Sequence, residues 1–138
     1  MKFHHVGIVV PNIQDSIGEI GKYLKFETIT TPSLIDSQKV NVCFLRAGEG
    51  YVELIEPAEP ASPVSNFANE GGGFHHICFE VKDIHKEVEK VVKKGARLIV
   101  KPIEGFEGRL IAFVWMNMRN TKWNLVEFAE AKPDNPTK

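Results

Sequence analysis

Several things are scarce in this sequence, and each shortage removes a class of function. There are two cysteines in 138 residues, Cys43 and Cys78, each inside an apolar run and with no paired spacing. They read as reduced, buried thiols, and the expected compartment is the cytoplasm. No run approaches the roughly 18 apolar residues that a membrane span requires. The opening MKFHHV lacks the build of a secretory signal, so neither membrane nor export is expected. A formal net charge of −1 offers no electrostatic footprint for nucleic acid or an anionic lipid surface. The length is that of one domain, able to bury roughly 68–70% of its unfolded surface, so a core needs neither disulfide nor structural metal.

What the chain does contain is an echo of itself. HHVGIVVPNI, carrying His5, returns as HHICFEVKDI, carrying His76 in the matching position 71 residues later. YVELIEP holds Glu53 between apolar neighbours, and NLVEFAE holds Glu127 in the same setting 74 residues on. Two His and two Glu at nearly one offset predict a duplicated module that builds a single site. Two imidazoles and two carboxylates are a ligand set for one divalent ion, and nitrogen and oxygen donors without thiolate fit Co, Ni, Mn or Zn.

Local patterns support the duplication. A strand is expected from His4 to Val10, closed by Pro11-Asn12. A helix follows on Ile13, Ile17, Ile20 and Leu24, weakened by Gly18 and Gly21. Strands are expected at Lys39–Leu45 and Tyr51–Ile55 around the turn Ala47-Gly48-Glu49-Gly50, with a poorer one from Phe26 to Thr31. Module one thus spans about 3–57. A linker at about 58–73 carries a short helical turn near Val64 and Phe67 and a flexible join at Gly71-Gly72-Gly73. Module two, about 74–130, restarts with a strand from His75 to Val81 and a helix on Ile84, Val88, Val91 and Val92 that stops at Gly95. Its strands lie near Arg97–Val100, Leu110–Trp115 and Trp123–Phe128, and 131–138 has the composition of a flexible tail. The fold class is α+β: two tandem βαβββ modules forming a curved, partly open eight-stranded sheet around a metal site.

Strand parity aims the four residues. Val6, Ile8 and Val10 share the face that packs under the helix, which turns His5 to the other side, where Gly7 leaves space. Val52 and Leu54 face the helix, and Glu53 does not. Val126 and Phe128 likewise leave Glu127 on the opposite face. An inward carboxylate without a partner is costly, and a metal is a good partner. A lone strand His or Glu is usually an ordinary hydrogen-bonded or edge residue, and His4 and His75 are assigned that role. Cys78 reads as a packing thiol, and Trp115 and Trp123 as core or cavity wall. Arg109, in the Gly-flanked loop GFEGR, is the candidate anchor for a substrate carboxylate or phosphate, because a guanidinium offers a bidentate fork.

The order strand-His, strand-Glu, strand-His, strand-Glu in two such modules resembles the vicinal oxygen chelate superfamily, over nearly the whole chain from His4 to about Glu130. Within it, ASPVSNFANEGGGFHHICFEVKDI looks most like the methylmalonyl-CoA epimerase branch. The resemblance implies metal ligation by His5, Glu53, His76 and Glu127, with Glu127 or Glu53 as catalytic base. It implies a CoA or glutathione thioester as small-molecule substrate and a homodimer. The activity expected is metal-assisted enolate formation by bidentate oxygen chelation, as in an epimerase. Glyoxalase I (lactoylglutathione lyase), which shares the ligand set, is the alternative, and a metal-free drug-binding resistance protein is third. The intact ligand set argues against the third, and against three-ligand iron dioxygenases. Two departures stand out: Val42 occupies the position matched to a second acid–base Glu of some epimerases, and WMNMRNTKWN replaces the family's usual shorter segment before the last strand.

Overall fold

The computed structural model describes residues 1–133. The expected tail lies outside the described residues from position 134 onward. Among the described residues eight strands form a mixed sheet with three short helices, the α+β class expected from the sequence. The described residues pack as two compact units, Phe3–Cys78 and a second made of Met1–Lys2 with the described residues from Phe79 onward.

The first unit contains β1 (Lys2–Val9) from Phe3 onward, α1 (Ile13–Ile20), β2 (Ser33–Ile35), β3 (Val40–Ala47), β4 (Gly50–Pro57) and α2 (Ser65–Asn69). The first residues of β5 (Gly73–Val81) also belong to it. Its strand order is β2-β3-β4-β1-β5, with β1 and β4 parallel and β2-β3-β4 antiparallel. Ile13, Ile17 and Ile20 of α1 pack on Ile8, Val10, Val52 and Leu54, the sheet face assigned by parity. Of these, Ile13 and Leu54 are fully buried, each contributing about 1.5–3 kcal/mol, and Ile17, Ile20, Ile8 and Val52 are partly buried. The helix ends at Ile20, short of Leu24, which is exposed. The strand expected at Phe26–Thr31 is instead an irregular run beside β3. Glu27 and Thr30 donate to the carbonyls of Arg46 and Phe44, and only Ile29 forms a bridge, with Leu45. Pro32 has no N–H to give a ladder, and regular pairing starts after it, at Ser33.

Gly71-Gly72-Gly73 is a shaped turn. All three residues have positive φ (102°, 68° and 122°), a region that side chains with a Cβ avoid. Gly72 donates to the carbonyl of Phe67 and lies against the Val9 carbonyl so closely that a Cβ would collide with it.

The second unit contains the end of β5, α3 (Ile84–Lys93), β6 (Arg97–Glu104), β7 (Leu110–Trp115) and β8 (Leu125–Glu130), in the order β5-β8-β7-β6. Ile84, Val88 and Val91 of α3 pack over Ala112, Val114, Val126 and Phe128. The helix closes at Gly95: the Gly95 and Ala96 N–H groups return to Val92 and Val91. Strand β6 runs past the expected Val100 through Pro102, and its pairing with β7 slips between Leu98 and Ile103. Proline is tolerated at such irregular positions, where its missing N–H breaks no regular ladder. Strand β8 starts two residues later than expected. Asn124 is spent on the preceding loop, its Oδ1 accepting from Met118 and its Nδ2 donating to Thr121.

The duplication extends to a device the sequence patterns did not reveal. Asn12 and Asp83 cap α1 and α3 by accepting from Asp15 and Lys86. The first helical N–H of each, Ile13 and Ile84, donates to a carboxylate three residues beyond the ligand-type glutamate, Glu56 at 2.7 Å and Glu130 at 3.2 Å. A carboxylate at a helix N-terminus satisfies an orphan donor and meets the positive end of the dipole.

Candidate metal centre

The first unit brings three of the four candidate ligands together. His5 on β1 is fully buried, His76 on β5 is 2% exposed and Glu53 on β4 is 3% exposed. Their donor atoms form a tight triangle. His5 Nε2 lies 3.2 Å from His76 Nε2 and 3.3 Å from Glu53 Oε1, and His76 Nε2 lies 3.6 Å from the same oxygen.

Ligands about 2.1 Å from a common ion stand roughly 3.0–3.4 Å apart at octahedral to tetrahedral angles. The triangle has nearly those edges, so the residues present fit a divalent metal: two imidazole nitrogens and a carboxylate oxygen, buried together. A buried cluster of acceptor atoms without a cation would carry a desolvation cost with little return.

Elements and packing explain the convergence. Parallel pairing sets Gly7 beside Glu53 in register, and antiparallel pairing sets Phe44 opposite Glu53. Phe44 therefore shares the ligand face and meets the His5 ring edge-to-face at 5.4 Å. Sequence patterns did not single it out, although its place opposite Glu53 follows once the hairpin register is known. Val42, opposite Ile55, lies on the same face, and neither residue supplies a carboxylate. Gly7 leaves room for a ring: a Cβ there would lie 2.6 Å from His76 Nδ1 and 2.8 Å from its Nε2.

His4 and His75 do more than occupy strand positions. His4 Nδ1 lies 2.7 Å from His5 Nδ1, and His75 Nδ1 lies 2.7 Å from His76 Nδ1. Cys78, fully buried, brings its Sγ within 4.8 Å of ring nitrogens of His4 and His5. Burial pushes the Cys43 thiol up from 9 to about 11, aided by the negative charge of Glu53 and, more weakly, Glu56, against a hydrogen bond with the Leu54 backbone.

In the second unit, Glu127 on β8 is 4% exposed and lies opposite Phe113 in register. Val126 and Phe128 on either side of it enter the core under α3, so Glu127 takes the other face, as Glu53 does in the first unit. Arg109 lies immediately before β7. Its side chain is 9% exposed, donates from Nη1 to Glu80 at 2.7 Å, approaches Glu107 with Nη2 at 3.8 Å, and sits 5.4 Å over the Phe106 ring. Glu80 on β5 thus takes one arm of the guanidinium fork, while Nε is buried without a hydrogen-bond partner. Trp123 packs against the core under α3, consistent with a structural role.

Residues 4–113 match the model of the Glyoxalase/Bleomycin resistance protein/Dioxygenase superfamily. The chain belongs to that superfamily. YqjC of Bacillus subtilis (strain 168) is 34% identical over 135 residues, which is 96% of this chain and 94% of that protein. The mitochondrial methylmalonyl-CoA epimerase of Dictyostelium discoideum is 32% identical over 132 residues, 94% of this chain and 78% of its own. Among solved structures, hypothetical protein BH1468 from Bacillus halodurans C-125 superposes with a TM-score of 0.84 at 33% identity, covering 99% of this chain and 98% of that one. No helix among the described residues is long and apolar enough to cross a membrane.

Proposed function

We propose that this chain is a divalent-metal epimerase acting on the carbon next to a thioester carbonyl, with methylmalonyl-CoA as the substrate class. The observation that carries the reading is the buried triangle of His5, His76 and Glu53 donor atoms in a chain 32% identical to a methylmalonyl-CoA epimerase. His5, Glu53 and His76 would hold the ion, with Glu127 as fourth ligand. Its burial and its position on β8, equivalent to that of Glu53 on β4, support that assignment.

A bound divalent ion supplies Lewis acidity that stabilises negative charge on a carbonyl oxygen, worth several kcal/mol as the neighbouring C–H proton leaves. The chain supplies the rest. Glu127 or Glu53, on loosening from the ion, would be the carboxylate that removes and returns that proton. Phe44 and Val42 give the ligand face of β3 an apolar lining that excludes water beside His5.

A second reading, glyoxalase I chemistry on a glutathione hemithioacetal, is favoured by one observation: Val42 and Phe44 bring no further carboxylate from β3. One experiment separates the two. Co-loaded protein is incubated in deuterated water with methylmalonyl-CoA, and separately with methylglyoxal and glutathione. The epimerase reading expects deuterium at the α-carbon of the CoA thioester and no lactoylglutathione. Lactoylglutathione without α-exchange would replace it with the glyoxalase reading.

A further inference from the structure

Consecutive residues on a strand normally point to opposite faces, yet in this chain two adjacent histidine pairs turn toward each other. His4 and His5 have ring centroids 5.0 Å apart at 81°, and His75 and His76 repeat this at 5.0 Å and 84°. In both pairs the contact is Nδ1 to Nδ1 at 2.7 Å. The first histidine of each pair is itself braced. His4 stacks on Tyr51 at 5.1 Å and 27° and meets Phe44 edge-on at 6.0 Å, while Phe67 lies 6.2 Å from the His75 ring.

We infer that His4 and His75 are positioning residues that set the tautomer and orientation of the two ligand imidazoles. The inference rests on the metal reading above and names what holds its ligands. Two ring nitrogens at hydrogen-bond distance need one proton between them, carried by one partner and accepted by the other. His5 and His76 direct Nε2 into the donor triangle, so each must keep a lone pair there and, when neutral, carry its hydrogen on Nδ1. His5 and His76 are therefore the donors. His4 and His75 accept at Nδ1 and carry their own hydrogen on Nε2. Ligating imidazoles are commonly oriented by an acceptor for the distal N–H. In this chain the acceptor is a second imidazole, supplied by the preceding residue in both repeats.

The test uses cobalt affinity by chelator competition on His4→Phe, His75→Phe, His4→Asn and His75→Asn, with His76→Ala as reference. Phenylalanine keeps a ring and removes the acceptor, whereas asparagine restores an acceptor near the Nδ1 position. Each Phe variant is expected to lose about 10–100-fold in affinity, the usual effect of removing an orienting partner, and each Asn variant to recover most of it. Phe variants that bind cobalt like the parent overturn the inference, and in that case loss of binding in His76→Ala leaves the metal reading standing. If cobalt fails to bind the parent, or binds His76→Ala undiminished, both fall. Should a Phe variant not fold, long-range ¹H–¹⁵N spectra of the unaltered, zinc-loaded protein decide. The hydrogen is expected on Nε2 of His4 and His75, and finding it on Nδ1 overturns the assignment.

Discussion

Replacing Gly7 with alanine is the sharpest single perturbation of the proposed centre, because Gly7 touches the metal reading through space alone. Its φ is not among the positive values of this chain, so alanine brings no backbone strain. The added methyl would lie 2.6 Å from His76 Nδ1 and 2.8 Å from Nε2, against an ordinary separation of about 3.5–4.0 Å. The ring must retreat by roughly 1 Å. Metal–ligand distances tolerate about 0.2 Å, so the displacement is several times what coordination allows. Fold and site then separate in magnitude. Overpacking costs about 1–3 kcal/mol of stability in the metal-free protein. Cobalt affinity is expected to fall at least about 100-fold, or about 2.7 kcal/mol. Urea denaturation of the metal-free protein and chelator competition measure the two terms. Gly18→Ala is the control: no atom lies within 4 Å of its Cβ position, and its place inside α1 predicts a gain of about 0.5–1 kcal/mol with unchanged metal binding. Parental cobalt affinity in Gly7→Ala would refute the claim that this glycine makes room for a ligand ring.

Three further outcomes are expected. Glu56→Ala should cost about 1–3 kcal/mol in urea denaturation, because it strips the Ile13 N–H of a charged acceptor at 2.7 Å; a loss below about 0.5 kcal/mol would show that water replaces it. Arg109→Ala should destabilise by about 2–4 kcal/mol, since it leaves the half-buried Glu80 carboxylate unpaired. A KM rise at unchanged stability would instead support the substrate-anchoring role. Cys43, held near 11 in the folded chain against 9 when exposed, keeps its proton where the unfolded chain loses it. Its contribution to stability is thus complete below pH 9 and declines as pH rises toward 11. Cys43→Ala should flatten the fall in the urea midpoint between pH 8.5 and 10.5, and identical slopes would contradict the assignment.

The two candidate-ligand glutamates and the carboxylate-capped helices belong to one construction. In the first unit, β4 carries Glu53 toward the ligand face, and three residues later Glu56 toward the start of α1. In the second, β8 repeats the arrangement with Glu127 and Glu130, the latter receiving Ile84 of α3. Opposite strand faces let one short segment serve a ligand position and a helix N-terminus at once. The same strand that carries a candidate metal ligand also fixes the helix that covers its apolar face.

Short-range periodicity was enough to read much of this from the amino-acid sequence. The alternation placing Val52 and Leu54 under α1, the stop at Gly95 and the space at Gly7 depend on neighbours within a few positions, and the His5/His76 and Glu53/Glu127 matches on the recurrence of such local patterns 71 and 74 positions later. Other features depend on register and chain path, which no local pattern carries. Ile13 meets Glu56 across 43 positions, Ile84 meets Glu130 across 46, and Arg109 finds Glu80 across 29. Pro32 and Pro102 moved strand boundaries because only the pairing partner reveals where a missing N–H matters. Gly71-Gly72-Gly73 reads as a loose join until its positive φ values and the Val9 carbonyl show a backbone that a side chain would block. The turn of His4 onto His5 defies strand alternation, since packing against Tyr51 and Phe44 overrides the direction a residue takes from its place in a strand. The sequence by itself determined which residue types recur and which face they take, because those follow from local geometry. The tertiary structure alone decided what each side chain meets there, because contact depends on strands brought together from distant parts of the chain.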